Sequence, residues 1–229
     1  MKLSVLIPVF NERENLPTIL ERVRRVPIEK EIIIVDDGST DGSREWLQQN
    51  ITNENEQVIL HSENLGKGSA VRTAIPRVTG DIVVIQDADL ELDPMDWLSL
   101  MQPILQGSVQ VVYGSRILGR QEGKSVWYFY LGGVLLSALT SVLYGARITD
   151  VSTCYKMFRA ELLKSIPLTC TGFEFCPEVT AKVLRRKIKI VELPIKYFPR
   201  KVSEGKKVKF KDGFIAMKTL IKYRFGCRR

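Results

Sequence analysis

The residues with most chemistry to offer close the run Ile82-Val83-Val84-Ile85-Gln86-Asp87-Ala88-Asp89-Leu90-Glu91. Apolar residues of strand character end in three acids, each two positions from the next. In an extended or gently turning segment, side chains two apart point the same way. Asp87, Asp89 and Glu91 are therefore expected to converge just beyond the carboxyl end of a buried strand. Carboxylates held together repel unless protons or a cation intervene, and hard oxygen ligands suit Mg2+ or Mn2+. The crevice beyond strand ends is also where open α/β sheets take their ligands. The spacing points to a metal–diphosphate site. The plain alternative is an acidic loop capping the next helix, with Asp93 before Pro94 as its start signal.

The elements that must position these acids can be read on either side. Lys2 to Val9 reads as a buried strand, ended by Pro8-Val9-Phe10-Asn11-Glu12. From about Arg13 to Arg25, Leu16, Ile19, Leu20 and Val23 share one helical stripe. Glu31 to Val35 is a second buried strand, stopped by Asp36-Asp37-Gly38-Ser39-Thr40-Asp41-Gly42, and a helix follows over Ser43 to Asn50. Gln57 to His61 reads as a strand, Ser69 to Arg77 as a helix that Pro76 shortens, Met95 to Leu105 as a helix, and Val109 to Tyr113 as a strand. Strands near Tyr155–Phe158 and Lys189–Phe198 come later, with helices at Ala160 to Ser165 and up to Arg186, and a basic amphipathic helix at the end. Strand–helix alternation with apolar, unalternating strands is the pattern of a parallel sheet covered on both faces. The polar loops at Asn11, Asp37, Asp87 and Arg116 would then open on one edge and build one site.

Composition narrows the classes. At 229 residues, 45% hydrophobic and 26% charged, the chain reads as one soluble globular domain, 1–229, without repeats or low-complexity tracts. One histidine leaves little material for a histidine-rich metal site or a Ser-His-Asp centre, and four cysteines lack metal-ligand spacing. Met1-Lys2-Leu3-Ser4-Val5 runs straight into a strand, so no secretory leader and a reducing, cytoplasmic setting are expected. The net charge of +8 is uneven: residues 182–229 hold seventeen Lys or Arg against three Asp or Glu, leaving the remainder net acidic. That asymmetry suits an anionic partner met by the C-terminal part, whether nucleic acid, membrane surface or phosphorylated substrate.

Val126 to Ala146 carries no charge. A span of ~20 apolar residues can cross a bilayer. Yet Gly133, Ser137, Thr140, Ser141 and Tyr144 share one helical face, with Leu131, Val134, Leu135, Ala138 and Val142 on another. Spanning would also part the Asp87 loop from the basic C-terminal region. An amphipathic helix at the surface, able to meet a lipid chain, or an ordinary core helix is expected over a span.

Taken together, Ile7-Pro8-Val9-Phe10-Asn11-Glu12, Val35-Asp36-Asp37-Gly38-Ser39-Thr40-Asp41-Gly42, Asn64-Leu65-Gly66-Lys67-Gly68 and Asp87-Ala88-Asp89 resemble a family 2 glycosyltransferase of the GT-A fold. Gly114-Ser115-Arg116, Thr149-Asp150, Thr153-Cys154-Tyr155-Lys156, Gly172-Phe173-Glu174-Phe175, and Arg200 with Ser203-Glu204-Gly205-Lys206-Lys207 are similar to the polyprenyl- and dolichyl-phosphate sugar transferases. The resemblance implies a three-layer α/β/α sandwich around a mostly parallel sheet, with 1–116 binding a nucleotide-diphosphate sugar and 117–229 facing acceptor and membrane. It implies that Pro8, Phe10, Glu12, Val35 and Asp37 hold base and ribose. Asp87, Ala88 and Asp89 would reach ribose and metal, with Asp87, Asp89 and Glu91 holding Mg2+ or Mn2+. Arg116, Arg200 and Lys206 would meet phosphate oxygens, with Asp89, Arg116 and Arg200 carrying catalysis and Lys67 either fixing its loop or taking a direct part. In the family an arginine of the long helix helps receive the acceptor phosphate. Val126 to Ala146 has none, and Arg120, Lys124 or Arg147 are the substitutes at hand.

The expected reaction is one displacement with inversion at the anomeric carbon, moving a hexose to a polyprenyl phosphate on the cytoplasmic face of a membrane, with a partner membrane protein or a second copy as a further partner. A lipid phosphate is already an anion and needs no general base. A saccharide hydroxyl, the alternative acceptor, would need one, with Asp150, Glu174 or Glu178 as candidates. Activity surviving Asp150→Asn and Glu174→Gln would mark the lipid phosphate. A nucleic-acid-binding module is the distant alternative; it lacks an interleaved aromatic platform, so no nucleic-acid partner is expected.

Overall fold

The computed structural model describes residues 1–119, 127–200, 207 and 210–226. Seven strands form one sheet: β1 (Leu3–Val9), β2 (Lys30–Asp36), β3 (Glu56–Leu60), β4 (Ile82–Ile85), β5 (Val111–Ser115), β6 (Lys156–Arg159) and β7 (Ile190–Pro194). Their order is β3-β2-β1-β4-β6-β5-β7. β1 pairs in parallel with β2 and β4, β2 with β3, and β5 with β7. The inner strands β1, β2 and β4 are buried nearly throughout, which is why their sequences run apolar without alternation.

β6 departs from the parallel pattern. It runs antiparallel to both β4 and β5. β5 ends at the edge where the polar loops gather, and the chain returns to that same edge before β6. β6 must then run away from it. Its start, not its end, faces the site.

The helices are α1 (Leu16–Arg25), α2 (Ser43–Asn50), α3 (Lys67–Ala74), α4 (Trp97–Leu100), α5 (Gln102–Leu105), α6 (Trp127–Tyr144), α7 (Ala160–Ser165), α8 (Phe175–Arg185) and α9 (Phe210–Phe225). α1 buries the expected stripe of Leu16, Ile19, Leu20 and Val23. The single helix expected over Met95 to Leu105 is broken. A 3-10 turn at Pro94–Asp96 starts on the Asp93 side chain, which accepts from the Met95 N–H at 3.0 Å. Pro103 has no N–H to continue an α-helical ladder, so α4 stops before it and α5 restarts. The strand expected over Lys189 to Phe198 is shorter, and Tyr197 survives only in an antiparallel bridge to Leu92.

Among the described residues no helix is long and apolar enough to cross a membrane. α6 instead turns its small polar face inward, with Ser137 and Thr140 buried and Leu131, Leu135 and Val142 exposed. The inward hydroxyls have partners. Ser137 Oγ accepts from the Val151 N–H and Ser141 Oγ from the Ile148 N–H, both at 3.0 Å. The polar stripe of α6 therefore holds the loop before β6, and this leaves the apolar stripe facing outward. α9 packs against α6 and α8, and Tyr144 donates its hydroxyl to the Leu220 carbonyl at 2.8 Å.

Candidate active site

The carboxyl edge of the sheet opens into a cavity of about 910 Å3. Pro8, Phe10, Glu12, Asp37, Asp87, Ala88, Asp89, Glu91, Arg116 and Arg200 all line it. Val35 does not: it sits inside β2 opposite Pro8, 1% exposed, as part of the core. Val35 lies two residues before Asp37, inside the strand rather than at its end, where its side chain packs into the core. Lys206 lies outside the described residues. A second arm of the cavity runs between α6 and α9, lined by Leu135, Leu136, Leu139, Phe214, Ala216 and Met217.

The acidic run is a turn, not an extended segment. Leu90, between Asp89 and Glu91, takes a left-handed φ of 62°. Asp87 meets Lys67 Nζ at 2.5 Å, and Asp89 meets Arg200 at 3.2 Å. Glu91 accepts from the Arg200 backbone N–H at 2.8 Å. Among the described residues no three acid, histidine or cysteine side chains are gathered to hold a metal ion. Each of the three is instead engaged by a lysine, an arginine or a backbone N–H.

The donor chemistry still fits a hard divalent cation. Burial, together with the charges of Asp87 and Glu91, pushes the Asp89 carboxyl up to about 7 against the pull of Arg200. Burial would also raise Asp87, but the Lys67 ammonium outweighs it and holds that carboxyl below its usual range. Among the described residues, seven acids and four bases line the cavity. A diphosphate meets a net negative wall unless a cation accompanies it.

Lys67 reaches Asp87 because its loop is pressed close to the 170–172 loop. Gly66 has φ 93° and a side chain there would meet the Thr171 carbonyl oxygen at 2.4 Å. Only glycine tolerates both the conformation and the approach. Lys67 thus fixes Asp87, a tie that its position two residues into a Gly-Lys-Gly loop did not specify.

Arg116 follows β5 and forms a two-pronged pair with Asp150: Nε to Oδ2 at 2.7 Å and NH2 to Oδ1 at 2.8 Å. The Arg116 backbone N–H adds a third bond at 3.0 Å. Asp150 is 3% exposed. Burial alone would raise its carboxyl, yet the guanidinium outweighs this and holds it low. The Arg116 guanidinium also lies over the Tyr197 ring at 5.2 Å, and Glu192 of β7 accepts from the backbone N–H groups of Thr149 and Asp150. Asp150, read from sequence as a candidate base, is the counterion of Arg116.

The other candidate bases are committed as well. Glu174 accepts from the Thr171 and Gly172 N–H groups. Glu178 accepts from Thr169, Cys170, Lys182 and Tyr223, donations that overcome burial and hold it at about 2. Such carboxylates are weak proton acceptors.

Glu12, expected at the ribose, is 7% exposed and serves as an anchor for the C-terminal segment. It faces Arg200 NH1 at 3.3 Å and accepts from Lys207 Nζ at 2.6 Å. The Leu92–Tyr197 bridge and the Phe198 N–H donating to the Glu91 carbonyl at 2.9 Å carry Arg200 across the acidic turn. Asp37 is also drawn inward. It accepts from the Leu65 and Gly66 N–H groups at 3.0 and 2.8 Å and pairs with His61 Nδ1 at 2.8 Å. The lone histidine, passed over in sequence, thus backs a cavity residue. Tyr197 carried no sequence signal beyond membership of a strand-like run.

This architecture is the GT-A fold. Glucosyl-3-phosphoglycerate synthase from Mycobacterium tuberculosis, solved with phosphoglyceric acid, superposes with a TM-score of 0.74 at 21% identity, covering 100% of this chain and 81% of that one. The same enzyme with Mn2+, uridine diphosphate and glucosyl-3-phosphoglycerate gives 0.70 at 18% identity, over 100% and 81%. The profile of Glycosyl transferase family 2 matches residues 4–166, and the chain belongs to that family. It is 30% identical over 195 residues to the undecaprenyl-phosphate 4-deoxy-4-formamido-L-arabinose transferase of Proteus mirabilis, covering 82% of this chain and 58% of that protein. It is 29% identical over 217 residues to the low-salt glycan biosynthesis hexosyltransferase Agl6 of Haloferax volcanii, covering 93% and 51%. The chain spans a little over half the length of both relatives.

Proposed function

We propose that this glycosyltransferase moves a hexose from a nucleotide-diphosphate sugar to a polyprenyl phosphate, with inversion, at a membrane surface. One observation carries the reading: a charged cavity at the sheet edge continues into an apolar arm between α6 and α9. The polar part suits a sugar diphosphate and the apolar arm suits a lipid chain. The Proteus mirabilis relative, whose name specifies undecaprenyl phosphate, supports the same acceptor class.

Asp89, with Asp87 and Glu91, would hold Mg2+ or Mn2+, which supplies neutralising positive charge to the departing diphosphate. The chain's own residues do the rest. Arg116, aimed by Asp150, and Arg200, resting between Glu12 and Asp89, offer guanidinium forks to phosphate oxygens. Lys206 is proposed for the same task. Pro8, Phe10 and Asp37 form the wall proposed for the base, and Ala88, 3% exposed, brings backbone rather than bulk against the ribose. A lipid phosphate attacks as an anion. That fits a site in which Asp150, Glu174 and Glu178 are all engaged and Asp150 is held deprotonated by a cation.

Membrane association is part of the proposal. Leu135, Phe210 and Phe214 line the cavity and are also exposed, so they form its rim. Exposed Arg147, Lys211, Lys218, Lys222 and Arg224 lie on or beside the same two helices. Each Lys or Arg near an anionic leaflet contributes ~1 kcal/mol of attraction.

The test is a transfer assay with UDP- and GDP-sugars, Mn2+ or Mg2+, and either a detergent-dispersed polyprenyl phosphate or soluble hydroxyl acceptors, including phosphoglycerate. Sugar is expected on the lipid phosphate. Transfer confined to a hydroxyl acceptor overturns the acceptor assignment.

A further inference from the structure

Two polar side chains lie beneath the acidic turn, in the core, and have no part in the chemistry above. Gln86 and Tyr155 are both fully buried. Gln86 follows β4 and continues its ladder, its backbone N–H donating to the Leu6 carbonyl at 2.9 Å. Its side-chain Nε2 donates to the Asp87 carbonyl at 2.9 Å. Its Oε1 accepts from the Tyr155 hydroxyl at 2.6 Å. The amide has only one consistent orientation. A main-chain carbonyl can only accept, so the amino group faces Asp87 and the hydroxyl must donate to the oxygen.

An aliphatic side chain would fill this place without the cost of burying an amide and a hydroxyl, a cost that only full hydrogen bonding offsets. The pair spans two strands. Tyr155 stands at the start of β6, its ring tilted on Trp97 with centroids 6.4 Å apart. Its neighbour Cys154 directs Sγ at the Ile85 carbonyl, 3.5 Å away. Because β6 is antiparallel, this start lies at the site edge, directly against the end of β4. What the amide fixes is the peptide joining Asp87 to Ala88, at the base of the turn in which Leu90 takes its left-handed φ.

We propose that Gln86 and Tyr155 are positioning residues for the acidic turn. Through the Asp87 carbonyl, they set the direction in which Asp87 and Asp89 face an incoming nucleoside diphosphate and its cation. The inference rests on the sugar-transfer reading for its ligand, while the geometry it invokes belongs to the free protein. Neither residue touches substrate, so the effect reaches the site only through the peptide that Gln86 holds.

The experiment compares the full chain with Tyr155→Phe, Gln86→Leu and the double variant. Three quantities are read: melting temperature, affinity for UDP and for GDP with Mn2+ by calorimetry, and amide hydrogen exchange at Leu90 and Glu91 without ligand. Tyr155→Phe keeps the ring and its packing on Trp97. Each single variant strands a buried partner and is expected to lower the melting temperature. Each is also expected to speed exchange at Leu90 and Glu91 and to weaken nucleotide binding by about 5- to 10-fold, the scale of one lost hydrogen bond. The double variant removes both polar partners, so its stability should recover toward wild type. Its nucleotide affinity and exchange protection should not recover, because the Asp87 carbonyl still lacks its donor.

Recovery of affinity together with stability in the double variant would show the pair to be core filling alone and overturn the proposal. Wild-type exchange at Leu90 and Glu91 in all three variants overturns it equally. If the wild-type protein binds neither UDP nor GDP, the sugar-transfer reading falls, and the exchange measurement still decides whether the pair holds the turn.

Discussion

The two arms of the cavity are built on opposite rules. Around β1, β4 and β5 the walls are charged and each cation named above meets a carboxylate: Lys67 with Asp87, Arg200 with Glu12 and Asp89, Lys207 with Glu12, Arg116 with Asp150. On α6 the serine hydroxyls are turned inward onto the site loop, and leucine and phenylalanine side chains of α6 and α9 are left at the surface. The first region has its ion pairs formed before any ligand arrives, and a ligand must exchange partners with them. The second offers apolar surface that gains from any cover that removes it from water. One arm is arranged to recognise a charged donor, the other to receive a greasy acceptor or the surface that carries it.

The largest expected effect tests the charged arm. Asp89→Asn should cost about 100-fold or more in transfer, the scale of losing charge stabilisation at a leaving group. It should also remove the Mn2+-dependent rise in melting temperature seen with a nucleoside diphosphate, with the fold intact. An unchanged metal response in that variant would falsify the assignment of the acidic turn.

Next is the Arg116–Asp150 pair. Arg116→Lys keeps the charge but loses the fork and is expected to reduce kcat/KM about 10- to 100-fold. Asp150→Asn should now also reduce activity, because it frees Arg116, so it no longer separates a lipid from a hydroxyl acceptor. Glu174→Gln remains the clean discriminator, since its carboxylate receives neighbouring backbone N–H groups and the Thr171 hydroxyl and pairs with no cation named above. With a lipid phosphate, activity should stay within about 2-fold of wild type, because no proton has to be taken up. Abolished transfer in that variant would place a hydroxyl acceptor in the site.

The apolar arm is tested by Leu135→Glu and Phe214→Glu. Both side chains are exposed, 61% and 53%, so the fold should tolerate the change. Partition onto anionic vesicles is expected to weaken about 10-fold, while UDP and GDP binding stays at wild-type level. A parallel loss of nucleotide binding would show that the two arms are not separable.

The smallest effect concerns neither arm but the far edge of the sheet. Glu31 is 4% exposed. Burial would raise its carboxyl, yet donation from Ser4, Thr79 and Lys2 holds it at about 2. A free glutamate titrates near ~4.3. Its contribution to stability is therefore complete above that value and is lost as the pH falls toward about 2. Glu31→Gln should flatten this part of the acid-unfolding curve, measured by circular dichroism, and leave transfer at neutral pH unchanged. Glu178, also held at about 2, loses its contribution over the same window.

Much of the charged arm could be read before any coordinates. Runs such as Ile32-Ile33-Ile34 and Val83-Val84-Ile85 could only be buried strands, and polar loops at their ends had to share an edge once the strands were parallel. Asp87, Asp89, Arg116 and Glu12 are therefore legible as residues of that edge. Their pairings are not. Asp150 looks like a base when read alone, and only its distance from Arg116 shows it to be that residue's counterion. Val35 went the other way, drawn into the base pocket by its motif and returned to the core by its place in β2.

The amino-acid sequence by itself fixed the secondary-structure types, the edge of the sheet that carries the chemistry and the family, because hydrophobic periodicity and local motifs are properties of neighbours along the chain. Tertiary structure alone decided the direction of β6, the left-handed turn at Leu90, the inward face of α6 and the pairing of each cation with its carboxylate. Those outcomes depend on contacts between residues tens to hundreds of positions apart. Arg200 and Glu12 meet only because a bridge at Leu92 and Tyr197 folds one end of the protein across the other.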